Sequence, residues 1–146
     1  MPILSLASSL VTSKNRIPTI LIDEDFASGT AGFSVVDATV ANSSGTLQVT
    51  ASDTSGHAYK AFLASPRTTF TYSIELFAMQ VGSGGGHIKV GLGAGQSQFL
   101  DVDASSLDTY TGTFTTGDAT AIVLGLHTDI SGKWTKWDNI IIQENN

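Results

Sequence analysis

TFTYSIELFAM, residues 69–79, is the stretch of the sequence that decides the fold class. Phe70, Tyr72, Ile74, Leu76 and Ala78 recur there at every second position. Side chains of a β-strand point alternately to the two faces of a sheet, so this spacing places the apolar side chains on one face. The pattern predicts a long strand over residues 68–79 with one face in a hydrophobic core.

Shorter runs of the same character fill the rest of the chain, separated by clusters of Gly, Ser, Asn and Asp. They lie at residues 19–22, 33–40, 46–50, 57–63, 87–92, 98–102, 109–114, 121–126 and 134–142. Short strands at this regular spacing are typical of a sandwich or barrel. We therefore expect an all-β jelly-roll or β-sandwich of two antiparallel sheets over residues 20–146, preceded by a short N-terminal arm over residues 1–19.

The charge and cysteine content of the chain argue against two kinds of binding partner and indicate where it is made. The 146 residues have a net charge of −6 and no cysteine, and the seven Lys and Arg residues are scattered. Nucleic-acid binding usually needs a concentrated basic face, and anionic membrane surfaces attract basic segments, so we expect neither partner. The absence of cysteine favours synthesis in a reducing cytoplasm.

No catalytic motif is present. The sequence lacks a G-x-S-x-G nucleophile elbow, and the glycine-rich run at residues 82–86 leads into a strand rather than a helix. His57, His87 and His127 fall in three separate predicted strands, without the short spacing of a metal-binding pair. We therefore expect a non-enzymatic protein whose histidines lie on solvated strand faces.

Acidic residues lie near both ends of the predicted sandwich. Asp23, Glu24 and Asp25 follow the run at residues 19–22, just before the first strand of the sandwich, and Asp138 lies in its last strand. First and last strands of a sandwich are often neighbours, so these carboxylates could bind one hard cation such as calcium. Ordinary surface charge and an acid-catalytic pair are the alternatives, and the residues alone leave all three open.

Aromatic residues are candidates for stacking on a sugar ring. Trp134 and Trp137 are three residues apart in one predicted strand and therefore point to opposite faces. One of them belongs to the core on this argument. The other, with Tyr59 or Tyr110, could form a sugar platform or a subunit contact, and a simple buried ring is the alternative for either tryptophan.

Several short motifs resemble carbohydrate-binding-module-like jelly rolls. They are DFASG followed by GF at residues 25–33, GTLQV at 45–49, TYTGTFT at 109–115 and WDNIII at 137–142. The resemblance covers residues 20–142 in order. It implies a sugar-binding fold in which a structural calcium ion often bridges the N-terminal acidic turn and the last strand, and that places Glu24 or Asp25 with Asp138.

The arm, MPILSLASSLV followed by a basic linker and Pro18, resembles the start of many structural proteins of tailed bacteriophages. That resemblance implies a short anchoring peptide before a displayed domain. The partner-binding residues would then be Leu4, Leu6, Leu10, Val11 and Ile17.

Together the two resemblances predict a bacteriophage virion structural protein, made in the host cytoplasm. We expect a homotrimeric capsid decoration or cement protein that binds the major capsid protein or other virion proteins through the arm. The alternative is a carbohydrate-binding module that recognises host-surface glycans from a tail fibre or spike. A groove lined by exposed aromatics favours the alternative, and a flat outer face rich in Ser and Thr favours decoration.

Overall fold

The computed structural model describes residues 19–145, and all regular structure in that range is β-strand. The strands are β1 (Ile20–Glu24), β2 (Ser34–Val36), β3 (Ala38–Asn42), β4 (Leu47–Ala51), β5 (Gly56–Leu63), β6 (Thr69–Met79), β7 (Gly86–Gly91), β8 (Leu100–Ala104), β9 (Asp108–Thr115), β10 (Ala121–Thr128) and β11 (Trp134–Glu144). The predicted all-β class is confirmed. Within the described range no helix could cross a membrane.

The strands form two antiparallel sheets, as the sequence predicts. One has six strands in the order β3-β4-β11-β6-β9, with β1 paired to β11 beyond the end of β4. The other has five strands in the order β2-β5-β10-β7-β8. The expected adjacency of the first and last strands is confirmed, because Glu24 lies opposite Ile140.

The core lies between the sheets, and strand β6 shows how the sequence builds it. Phe70, Tyr72, Ile74 and Leu76 are each at most 6% exposed, whereas Phe77 on the opposite face is 52% exposed. Trp137 of β11 is fully buried in the same core. The alternation at residues 69–79 therefore fixes which face of the six-stranded sheet meets its partner.

The strand predicted at residues 33–40 is two strands. Asp37 adopts a positive φ of 50°, a conformation that interrupts an extended chain. Strand β2 before it pairs with β5, and β3 after it pairs with β4, so the chain changes sheet at this residue. The acidic residues Asp23 and Glu24, expected in a turn after residues 19–22, form the end of β1.

The arm cannot be compared with the prediction. Its proposed contact residues Leu4, Leu6, Leu10, Val11 and Ile17 lie outside the described residues.

Candidate functional site

The four aromatic residues predicted as sugar platforms do not form one site. Tyr59 lies on β5 of the five-stranded sheet, whereas Trp134, Trp137 and Tyr110 lie on β11 and β9 of the six-stranded sheet. Only side chains on one outer face can contact the same extended ligand. Each ring therefore has to be judged by its own surroundings.

The two tryptophans point to opposite faces, as their spacing predicts. Trp137 is fully buried, and its indole N–H donates to Oγ1 of Thr135 over 2.8 Å, so its ring is withdrawn from any surface ligand. Trp134 is partly exposed on the outer face. The ammonium of Lys136 lies 4.9 Å from the centroid of its ring, a cation–π contact that occupies this ring.

Tyr110 also turns away from the outside. It lies opposite the fully buried Ile74, so both side chains point toward the core. Its hydroxyl donates to the carbonyl oxygen of Ser106 over 2.7 Å. Of the four predicted rings, Tyr59 is therefore the one on the outer face of the five-stranded sheet.

Tyr59 belongs to a line of outward-facing residues that crosses all five strands of that sheet. Directly opposed positions place Ser34, Tyr59, Gly125, Lys89 and Asp101 side by side. We call this line the tyrosine row. Neighbouring strands are about 4.8 Å apart, so Tyr59 and Lys89 are separated by about 10 Å across the glycine. The row combines an aromatic ring with hydrogen-bonding groups of both charges.

A second line runs parallel to it, two residues along each strand. Val36, His57, His127, His87 and Asp103 are directly opposed in the same strand order, and we call this line the histidine row. The three histidines, distant in sequence, are therefore neighbours. The prediction of solvated histidines is wrong for two of them, since His57 is 7% and His127 is 3% exposed.

The two buried imidazoles stack on one another, with centroids 4.2 Å apart and planes inclined by 21°. Nδ1 of His57 lies 3.1 Å from the carbonyl oxygen of Ser55, which can only accept, so that nitrogen carries the proton. Nε2 of His57 and both ring nitrogens of His127 are buried without a hydrogen-bond partner. These orphaned polar atoms are the least satisfied group among the described residues.

The surroundings of His127 keep it uncharged. Burial first, and then repulsion from His57, Lys89 and His87, lower its pKa to about 3. The Ser55 carbonyl lies near enough to oppose this shift, but it accepts its hydrogen bond from His57 and makes none of normal geometry to His127. His87, by contrast, is partly exposed and places Nδ1 2.8 Å from the carboxylate of Asp129. The middle of the row therefore holds an uncharged imidazole, next to a histidine that is paired with a carboxylate.

The acidic residues of the calcium prediction do converge. Burial raises the pKa of Asp138, and the negative charges of Glu75, Asp25 and Glu24 raise it further. Glu24 and Asp25, however, accept backbone N–H groups of their own turn, from Phe26 and Ala27. Within residues 19–145 no three carboxylate or histidine side chains are grouped as a metal site. Calcium binding stays a prediction, without the full ligand set assembled.

A cavity of about 250 Å³ opens at the far end of β5 from His57, between Leu21, Leu63, Phe70 and Glu144. None of the residues predicted to bind sugar or metal lines it. The cavity therefore adds no support to the predicted sugar or metal site.

Sequence reasoning did not select Lys89 or Asp101 as site residues. Their local signal is the alternation of polar and apolar residues in β7 and β8, which says only that they face outward. Their position beside Tyr59 depends on which strands pair, and in what register.

Comparison with solved structures agrees with this architecture. The tandem of two family 22 carbohydrate-binding modules from Paenibacillus barcinonensis Xyn10C is 16% identical, with a TM-score of 0.64 over 88% of this chain and 46% of that one. A family 16 carbohydrate-binding module has 13% identity and a TM-score of 0.62 over 85% and 99% of the two chains. The fold is a carbohydrate-binding-module-like jelly roll.

The resemblance extends beyond these modules. The K3 cleaved adhesin domain of Lys-gingipain from Porphyromonas gingivalis is 13% identical, with a TM-score of 0.57 over 87% of this chain and 99% of that domain. The chain spans about half the length of the tandem structure and nearly all of these single domains. No family model and no curated protein matches the sequence. At these identities the similarity shows the fold alone.

Proposed function

We propose that this chain is a non-catalytic carbohydrate-binding module and that the glycan lies along the tyrosine row. The observation that carries the proposal is the side-by-side placement of Ser34, Tyr59, Lys89 and Asp101 on one outer face. A partly exposed ring can stack on the apolar face of a sugar, and flanking polar groups can bind its hydroxyls. Several solved structures of similar fold are named as carbohydrate-binding modules, one of them as a xylan-binding domain.

The charges of the face favour a neutral glycan. Lys89 is directly opposed to Asp101. Two further carboxylates lie near this pair: Asp103 in the histidine row, and Asp129, which is paired with His87. The chain as a whole carries a net charge of −6. An anionic polysaccharide would meet more negative than positive charge here. A neutral polysaccharide meets carboxylates that accept its hydroxyl protons and an ammonium that donates to its oxygens.

The test is binding to a panel of neutral and anionic polysaccharides, measured by affinity electrophoresis and calorimetry. We expect binding to a neutral glycan, and we expect Tyr59→Ala to weaken it at least tenfold, about 1.4 kcal/mol. Trp134→Ala is the matched control, because it removes a partly exposed ring from the other sheet. Equal loss in both variants, or loss in the control alone, would remove the site from the tyrosine row.

A second function, capsid decoration on a virion, is favoured by the opposite side of the sandwich. On the outer face of the six-stranded sheet, β6 and β9 place Thr69 opposite Thr115, Thr71 opposite Thr113 and Ser73 opposite Thr111. A hydroxyl-rich strand pair of this kind suits a displayed surface that does not aggregate. Under this proposal a homotrimer binds the major capsid protein through the N-terminal arm.

That proposal is tested with the full chain and purified capsids. Leu6→Ser with Leu10→Ser should abolish saturable capsid binding and leave glycan binding intact. Tyr59→Ala should weaken glycan binding and leave capsid binding intact. Failure of the unaltered protein to bind capsids would leave the carbohydrate-binding function alone.

A further inference from the structure

A single loop lies over His57 and His127, the two buried members of the histidine row. It comprises residues 92–99, LGAGQSQF, between β7 and β8, and we call it the covering loop. A Cβ built on Gly95 would lie 3.1 Å from Cε1 of His57 and 3.9 Å from Cε1 of His127, so the loop backbone presses on both rings. The loop, rather than the sheet, is what buries these two outward-facing side chains.

Packing, rather than hydrogen bonding, holds the covering loop to the rest of the domain, with Phe99 at its end against the hydrophobic core. Its hydrogen bonds within the described residues stay inside the β7–β8 hairpin: Leu92 donates to the side chain of Gln98, Gln96 to the carbonyl of Gly93, and Phe99 to that of Val90. No hydrogen bond among residues 19–145 joins it to β5 or β10. What holds it against His57 and His127 is packing, and lifting it breaks no ladder of main-chain bonds.

The surface under the loop disfavours a charged imidazole at His127. Two imidazolium ions stacked at 4.2 Å would repel each other strongly, away from water that could screen them. The buried Nε2 of His57 and both nitrogens of His127 make no hydrogen bond in the closed arrangement. Opening the loop would supply water to these atoms and allow protonation.

We propose that the covering loop is an acid-released lid, which closes over the histidine row while the imidazole of His127 is uncharged and lifts when that imidazole takes up a proton. Exposed histidine titrates near pH 6.5, so closure involves no proton change above that pH. Below it, an uncovered imidazole binds a proton that a covered one excludes. Each pH unit below it then favours the open form by up to about tenfold.

The other charged groups on this face do not stabilise a protonated imidazole under the closed loop. Those facing the stack are His87 and Lys89 on β7, Asp101 and Asp103 on β8, and Asp129 after β10, together with the phenol of Tyr59 on β5. Asp129 already binds His87 at 2.8 Å. Lys89 adds positive charge, β2 presents only Ser34 and Val36, and the covering loop has no titratable residue. An imidazole protonated under the closed loop therefore has no free carboxylate as its counter-ion.

Release would also change the face described above. Nε2 of His127 lies 3.0 Å from where a Cβ of Gly125 would be, so this ring leans into the gap between Tyr59 and Lys89. A freed His127 opens that gap and lengthens the aromatic surface beside Tyr59. The effect on glycan binding rests on the proposed function, whereas the release of the loop does not.

The test is therefore made without glycan, by nuclear magnetic resonance of the whole chain between about pH 7.5 and pH 5. At the higher pH we expect nuclear Overhauser contacts from the Gly95 α-protons to the ring protons of His57 and His127. At the lower pH these contacts should be lost, while the amides of Leu124 and Leu126 in β10 keep their native shifts. Contacts that persist at the lower pH, or loss of β10 signals in the same step, would overturn the proposal.

Variants isolate the proton that matters. His127→Phe keeps an aromatic ring but cannot be protonated, and should retain the Gly95–His57 contact at pH 5. His87→Phe, the same change at the partly exposed neighbour, should lose the contact as the unaltered chain does. If His127→Phe fails to fold, His127→Gln provides the same comparison. A variant at position 127 that still releases the loop at acid pH would show that other groups drive the opening.

Discussion

The hydroxyl groups of Thr128 and Thr135 lie 2.7 Å apart in the core and join the two sheets. Thr128, at the end of β10, donates to the carbonyl oxygen of Val49 over 2.9 Å. Its single proton is therefore used, so Thr135 must be the donor between the two threonines. Thr135 in turn accepts the indole N–H of Trp137. The three hydrogen bonds therefore form a buried series with one donor order, from Trp137 to Thr135, from Thr135 to Thr128 and from Thr128 to Val49.

The first prediction concerns that series. Thr135→Val keeps the shape of the side chain but leaves the Trp137 N–H without an acceptor. We expect the free energy of unfolding to fall by about 1–3 kcal/mol, the cost of a buried unsatisfied donor. Thr135→Ser, which keeps the hydroxyl, is the control and should retain more of the stability in urea denaturation. A larger loss in the serine variant would show that the methyl group matters more than the hydrogen bond.

The second prediction tests the two faces of β6. Ile74 is fully buried, and its truncation to Ala should lower the free energy of unfolding by about 2–5 kcal/mol, because it leaves a cavity between the sheets. Ser73 points outward, opposite Thr111 and Ile141. Ser73→Ala should change stability by less than about 0.5 kcal/mol. Similar losses from the two variants would contradict the assignment of the faces.

The third prediction concerns Asp138 in the absence of calcium. Its pKa in the folded chain is raised above the ordinary value of 3.8 by burial and by its acidic neighbours. A raised pKa means that folding favours the protonated acid, so the ionised form destabilises the fold at neutral pH. With chelator present, Asp138→Asn should therefore be more stable than the unaltered chain at pH 7. The advantage should shrink as pH falls through the raised pKa and vanish below the ordinary value.

The fourth prediction uses the same variant to test calcium binding. A cation bound near Glu24, Asp25 and Asp138 would stabilise only the folded state and would raise the melting temperature by mass action. Calcium should then raise the melting temperature of the unaltered chain, and raise that of Asp138→Asn much less. Magnesium at the same concentration is the control for general screening of the acidic cluster. A melting curve indifferent to calcium would make these residues ordinary surface charge.

The sequence alone was sufficient where the information is local. Phe70, Tyr72, Ile74 and Leu76 show their common face through their spacing, and Trp134 and Trp137 show opposite faces by the same rule. The motifs at residues 25–33 and 137–142 gave the family resemblance that the solved structures support as a fold. Even so, the positive φ of Asp37, which splits one predicted strand between two sheets, had no clear local signal.

Only the tertiary structure decided which side chains of different strands are neighbours. His57, His87 and His127 became one row because β5, β10 and β7 are neighbours in a register that opposes these three positions. A slip of one residue would have turned one histidine into the core and placed an apolar side chain outside. The burial of His57 and His127 depends further on a loop that folds across from the next hairpin. Alternation along a strand is set by the backbone of each residue, whereas strand order and register are set by the packing of the whole core.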